Sequence, residues 1–409
     1  MKNRNYYGFL WHAIFLSLTM TFTEVNTVIP SLIIEIGGSS VHVGIVSAIV
    51  IGLPMVTKLF FSSFLSSRKN KKPYLLLGIN LRIIALISIA ITLIWYKSFS
   101  FYSLIILLYF ELLLFSVGGA FASLPYVYLI GGSLKKEIRI SFFTKKQMIA
   151  SVGMLISVII ARHILSNWAY PFQYVILFSL SSIALLIASF GFWAIKEKPT
   201  DETTKVSIKE VLSDIPLLYK KDNNFFRFLI YSNIMGAALA LIPFFIGYAK
   251  ASFSIDSTVL GYLLLIQIIG MFISSFIFPK IIKKKGFKGV LKYRIYIHFL
   301  LAIFAVFFVS IDFLYGYLVL FFFIGFALSA KAVSEDAALI ELTNSKNRVV
   351  YSALAGTLNI AIILFPLILG TFISLFGHAL VFVISSLITL SAFPILNSVI
   401  CPIDLKEQY

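Results

Sequence analysis

The sequence predicts an all-α integral membrane protein with twelve transmembrane helices in two pseudo-symmetric six-helix bundles. Three observations carry that expectation. Hydrophobic residues make up 60% of the 409 and charged residues 12%, where water-soluble domains run near half and a quarter. The apolar residues gather in runs of about 20 or more, enough to cross a hydrocarbon core ~30 Å thick. The second half of the chain also echoes the first. Ten-residue alternating strands, the mark of a membrane barrel, are absent, so the spans are helices that satisfy their own backbone hydrogen bonds.

Apolar runs between charged breaks place the spans near 9–36, 41–66, 74–96, 101–129, 147–165 and 172–195, then 225–249, 257–279, 291–310, 313–338, 350–375 and 378–400. The N-terminal "MKNRNYYGFLWHAIFLSLTM" lacks a small-residue cleavage site and its apolar run is too long for a signal peptide, so it reads as an uncleaved first helix. Trp11, Trp95, Trp168 and Trp193 all fall near span ends, as an interfacial aromatic belt requires.

Basic residues follow the even-numbered spans: Arg68, Lys69, Lys71 and Lys72, then Lys135, Lys136, Arg139, Lys145 and Lys146, then Lys280 to Arg294, with Lys346 and Arg348 later. Loops after odd-numbered spans offer little beyond Lys97, Lys250 and Arg162. That asymmetry puts both termini in the cytoplasm and the chain in the plasma (inner) membrane. It also accounts for the net charge of +17 through retention signals and attraction to anionic lipid headgroups, without nucleic acid as a partner. The single cysteine, Cys401, excludes an internal disulfide.

The longest polar stretch, 196–222, separates an N-terminal bundle (1–195) from a C-terminal bundle and tail (223–409). Within it Ser207 and Glu210 form a capping box, and Ile208, Val211, Leu212 and Ile215 follow at helical spacing. A short amphipathic helix on the inner membrane surface is expected there. The halves repeat: Arg68 and Lys284 lie 216 positions apart, as do the starts of spans one and seven at 9 and 225. A weak repeat of six helices is the pattern of secondary transporters, which bind solute between the repeats at mid-membrane depth.

On these residues the chain resembles the major facilitator superfamily over essentially its whole length. The family signature after helix two, G-x-x-x-D-R-x-G-R-K, aligns with Ser63 to Lys72, where Arg68 and the basic tail remain and Ser63, Ser67 and Asn70 replace two glycines and the aspartate. Lys284, Gly286 and Lys288 keep part of the second copy. The resemblance implies that Arg68, Lys72 and Lys284 belong to a cytoplasmic gating loop. The helix-four arginine of many proton-coupled members and the G-x-x-x-G-P of antiporters have no match, which leaves the subfamily open.

The resemblance further implies that helices one, four, seven and ten line a central cavity. Glu24, Glu111 and Lys331 lie within spans one, four and ten, where a charge costs ~2.5–3.5 kcal/mol and usually serves function. Thr27 and Ser31 share the face of Glu24, with Thr23, Asn26 and Pro30 on the adjoining ridge. A stripe that polar suits a wet chamber, in which a carboxyl exchanges a proton with either side. Glu24 and Glu111 are therefore the candidates for proton coupling, although Arg82 is a possible structural partner of Glu111. Lys331 is the candidate counter-charge for substrate, with an i,i+4 pair to Glu335 as the rival account. Asn26, Asn233, Gln267 and Asn359 are the remaining substrate-binding candidates, and amides at such depths also join helices. If all three charges are ionised the chamber carries one net negative charge, which favours a cationic or zwitterionic solute over a polyanion.

No enzyme is expected. The five histidines, His12, His42, His163, His298 and His378, are scattered without metal-ligand spacing, and no phosphate-binding loop of the G-x-x-x-x-G-K-[ST] form exists. The expected function is secondary active transport of a small organic solute by alternating access, coupled to protons through Glu24, without cofactor or metal. A monomer working among membrane lipids is expected. The alternatives are an uncoupled uniporter or carrier of a lipid-like substrate, and a non-transporting membrane sensor on the same fold.

Overall fold

The computed structural model describes residues 4–66, 68–134, 136–197, 222–342, 355–356 and 358–400, and among them every regular element is helical. The amphipathic helix expected at 207–215 and the tail with Cys401 lie outside the described residues. The helices are α1 (Arg4–Phe22), α2 (Val28–Glu35), α3 (Ser40–Ser47), α4 (Leu53–Ser66), α5 (Lys72–Ile94), α6 (Phe101–Ser133), α7 (Lys136–Asn167) and α8 (Phe172–Trp193). Then follow α9 (Asn223–Ala240), α10 (Phe244–Phe253), α11 (Ser257–Ser310), α12 (Leu314–Leu342), α13 (Ala361–Phe376), α14 (His378–Leu390) and α15 (Ala392–Ser398). Among the described residues, eight helical stretches are long and apolar enough to cross a membrane, and 40–55 and 361–376 are shorter apolar helices.

Predicted spans and observed helices differ in instructive ways. Span one is two helices, α1 and α2. Span two is broken between α3 and α4 by a π-helical turn at Ala48–Gly52. Spans eight and nine lie within Ser257–Ser310 (α11) as two helices that meet at a kink at Gly286. There φ is 62° and ψ −177°, a left-handed conformation that a residue without Cβ adopts at little cost.

The chain divides into two compact units. The first holds 1–38, 49–208 and 257–261; the second holds 39–48, 209–256 and 262–409. In the first, α1 packs along α7 and α8, and α5 lies between α6 and α8. Small residues let these helices approach closely: a Cβ on Gly78 would stand 2.6 Å from the Gly118 carbonyl oxygen, and one on Gly191 would collide with that of Gly8. In the second, α3 runs along α13, where a Cβ on Gly44 would collide with the Pro366 carbonyl oxygen. A cluster built on Phe228, Tyr231, Met235, Leu291, Ile295 and Leu396 forms an apolar core of this unit.

Candidate functional site

Glu24 occupies the gap between α1 and α2. Residues 23–27 leave the helix, for local reasons. Thr21 and Thr23 donate their hydroxyls to the carbonyls of Ser17 and Thr19, four residues back, a pattern that bends helices. Pro30 has no N–H to offer the Asn26 carbonyl. The Glu24 carboxylate turns back onto this gap. It accepts from the Asn26 backbone N–H at 2.7 Å, from Asn26 Nδ2 at 2.8 Å and from Thr27 Oγ1 at 2.8 Å. Glu24 is 9% exposed, and among the described residues no cation pairs with it. Asn26 Oδ1 is enclosed without a hydrogen-bond partner. The polar stripe continues through Ser31, which accepts from the Tyr174 hydroxyl at 2.9 Å, toward Glu35, which accepts from Gln173 at 3.2 Å.

Glu111 belongs to a separate network. Its Oε1 accepts from Ser88 and, at 2.7 Å, from Thr92, both on α5, while Oε2 is enclosed and unpartnered. Arg82 is not its partner. The guanidinium lies 4.4 Å from the Phe115 ring and points Nη2 at Met20 Sδ, 3.6 Å away. Glu24 and Glu111 are thus both buried in the first unit, yet no described contact joins them.

Of the residues taken from the gating signature, Lys72 holds the ends of helices. Lys72 Nζ donates to the carbonyls of Trp193 and Ile195 at 2.9 and 2.7 Å, completing the C-terminus of α8. The Glu197 carboxylate in turn accepts the backbone N–H groups of Lys71 and Lys72 at 2.6 and 3.0 Å, capping α5. Burial lowers the pKa of the neighbouring Lys71 ammonium, and Glu197 opposes that shift. Arg68 is exposed and lies over the Phe64 ring at 4.6 Å. Lys284 is exposed on α11.

In the second unit, Lys331 sits on α12 within electrostatic reach of Glu335 and His298. Glu335 also serves Arg294, whose Nη1 is 3.7 Å away, and accepts from Ser232 at 2.8 Å. Asn359 Nδ2 donates to Ser232 at 3.1 Å. Asn233 donates to the Leu229 and Leu358 carbonyls and accepts from the Ala361 N–H, joining α9 to the start of α13. The structure therefore gathers Lys331 and Asn359 around Glu335 and sets Asn233 beside them. Gln267 is fully buried elsewhere in α11, and neither amide atom has a partner.

Arg294 is the residue the sequence misassigned. Counted among loop charges, it is 0% exposed and the largest fully buried side chain among the described residues. A signal was present: Arg294 and His298 are four apart, on one face of a helix. No group of three or more potential metal-ligating side chains exists among the described residues.

Residues 10–334 match the family model described as Major Facilitator Superfamily. Among solved structures, a mutant of the nucleoside transporter NupG is similar with a TM-score of 0.72 at 14% identity, covering 97% of this chain and 99% of that one. A bacterial homologue of the iron transporter ferroportin in its inward-facing state matches at 0.68 and 12% identity, covering 97% and 99%. A bacterial homologue of the human lysosomal transporter Spinster matches at 0.64 and 13% identity, covering 97% of each chain. No curated protein matches the chain.

Proposed function

Because the chain belongs to the Major Facilitator Superfamily, and so is a membrane transporter and not an enzyme, we propose that it moves a small organic solute by alternating access, coupled to protons through Glu24. The observation that carries this reading is the break in span one. Discontinuous helices in transporters commonly hold the working site, and this break holds a carboxylate with three donors and, among the described residues, no cation. Three donors suit the ionised form and enclosure suits the neutral one, so the balance turns on whether water reaches the gap. Access from alternate sides of the membrane then loads and unloads one proton.

Glu111, locked between α5 and α6, serves the packing of its unit in this reading. Lys331, with Glu335 and Asn359 beside it, is the substrate-facing candidate of the second unit. The loop charge asymmetry supports cytoplasmic termini in a plasma (inner) membrane. Similar folds are described as a nucleoside transporter and as a bacterial homologue of an iron transporter, and at 12–14% identity neither cargo is carried over.

The local bonds of Glu24 also favour a second reading, in which the carboxylate only shapes the break and the chain is a uniporter. Proteoliposomes separate the two. Glu24→Gln should abolish accumulation driven by a pH gradient while solute counterflow continues. Gradient-driven accumulation that survives Glu24→Gln refutes coupling at this residue. No counterflow of any solute in a broad panel would point to the sensor.

A further inference from the structure

At the end of the first unit remote from the N-terminus, several helix ends converge on one cavity. The last residues of α2, the short helical turn Tyr96–Ser98 after α5, the first turn of α6 and the loop before α8 border a space of about 280 Å³. Its wall includes Glu35, Tyr96, Lys97, Phe101 and Tyr170.

Glu35 is held in place before any ligand arrives. Its Oε1 accepts from Ser31, one turn earlier on α2, at 3.4 Å, and its Oε2 accepts from Gln173 Nε2 at 3.2 Å. Gln173 is fully buried and its own Oε1 is enclosed without a hydrogen-bond partner. Its amide therefore serves the carboxylate and leaves a carbonyl unsatisfied, which is unfavourable in itself. Beside Glu35 the Tyr96 and Tyr170 rings meet edge to face with their centres 5.1 Å apart, and Phe101 supplies a third ring. The interfacial belt belongs to Trp95 and Trp168, which are 62% and 52% exposed; Tyr96 and Tyr170 are half-buried and line the cavity instead. Ring faces next to a carboxylate favour an ammonium group. Lys97 is exposed at the rim, with Nζ 6.0 Å from the centre of the Tyr96 ring.

From this cavity we propose a binding site for a small zwitterion, a molecule that carries a primary ammonium close to an anionic group. Glu35 and the rings of Tyr96, Tyr170 and Phe101 receive the ammonium, and Lys97 pairs with the anionic group. The site lies beyond the transport reading and does not depend on coupling at Glu24. A free amino acid and an ethanolamine lipid headgroup share this chemistry.

The test is equilibrium binding to the purified full-length protein in detergent without phospholipid, with thermal stabilisation as the readout. Leucine is the probe, compared with isoamylamine, which lacks its carboxylate, and isocaproate, which lacks its ammonium. Leucine should bind more tightly than either. Glu35→Gln should weaken leucine and isoamylamine ~10- to 100-fold, the range for losing a charge-assisted hydrogen bond, and Tyr170→Leu should weaken both ~3-fold or more. Lys97→Gln should weaken leucine ~2- to 5-fold, as for an exposed ion pair, and leave isoamylamine unchanged. Lys97 is exposed, so this variant carries the test even where Glu35→Gln disturbs folding.

A leucine response in detergent identifies a free solute as the occupant. Stabilisation by phosphatidylethanolamine over phosphatidylglycerol nanodiscs, lost in Glu35→Gln and without a leucine response, identifies a headgroup. A response to neither overturns the proposal, as does equal leucine binding by the parent, Glu35→Gln and Lys97→Gln. Tighter isoamylamine binding in Lys97→Gln also overturns it, since that marks Glu35 and Lys97 as partners of each other. Binding is read without a proton gradient, so its failure and the failure of proton coupling are separate results.

Discussion

Glu335→Gln should be among the most destabilising single changes in the second unit. It leaves Arg294, 0% exposed, without its carboxylate. At the observed 3.7 Å, two unit charges attract by about 4 kcal/mol at an effective dielectric of 20. That agrees with the ~3–5 kcal/mol typical of removing one member of a buried pair. Arg294→Met should cost less, because Glu335 keeps the Ser232 hydroxyl at 2.8 Å and Lys331 within electrostatic reach. The double variant should recover most of the Glu335→Gln loss, since apolar replacement of both partners removes the desolvation penalty together with the attraction. Unfolding of the four proteins in one detergent closes a double-mutant cycle, with an expected coupling of about 2–4 kcal/mol. Additive effects, or Arg294→Met as the worse single variant, would refute the assignment of Glu335 as the compensating charge.

Further outcomes follow from other contacts. Glu197→Gln weakens the cap on Lys71 and Lys72 and should lower stability by about 1 kcal/mol, measurable as earlier thermal unfolding. Lys72→Met should act in the same direction by releasing the α8 carbonyls of Trp193 and Ile195; a variant with normal stability but faulty gating would return Lys72 to the role its signature implies. A Cβ on Gly325 would collide with the Gln267 carbonyl oxygen, so Gly325→Val should force α11 from α12 and cost about 1–3 kcal/mol or more, seen as lost folded yield. Ser232→Ala removes the hydroxyl that serves Glu335 and accepts from Asn359 and should cost about 1–3 kcal/mol, read in the same unfolding assay.

Much of the fold was legible because membrane insertion is governed by sums over local sequence. A run of about twenty apolar residues is helical in lipid whatever surrounds it, which is why α5, α6 and α8 begin and end within a few residues of spans three, four and six. Departures arose where local signals conflict. The span containing Glu24 read as one helix because its apolar average outweighs the threonines and Pro30 that open it. The Lys-rich stretch near Gly286 read as a loop because charge stops a hydropathy count; the chain does break there, but only at Gly286, and the lysines on either side stay helical.

Depth within a span follows from counting residues, so the sequence alone determined the helical class, the repeat and the rare ionisable side chains at Glu24, Glu111 and Lys331. Which group answers each charge was decided only by the tertiary structure. Arg82 was a natural partner for Glu111, yet Ser88 and Thr92 take that place, and Arg294 left the loop inventory to become the buried partner of Glu335. The reason is physical: a partner is chosen by which helix faces meet, and the rotation of one helix against another is set by contacts between residues far apart in the chain.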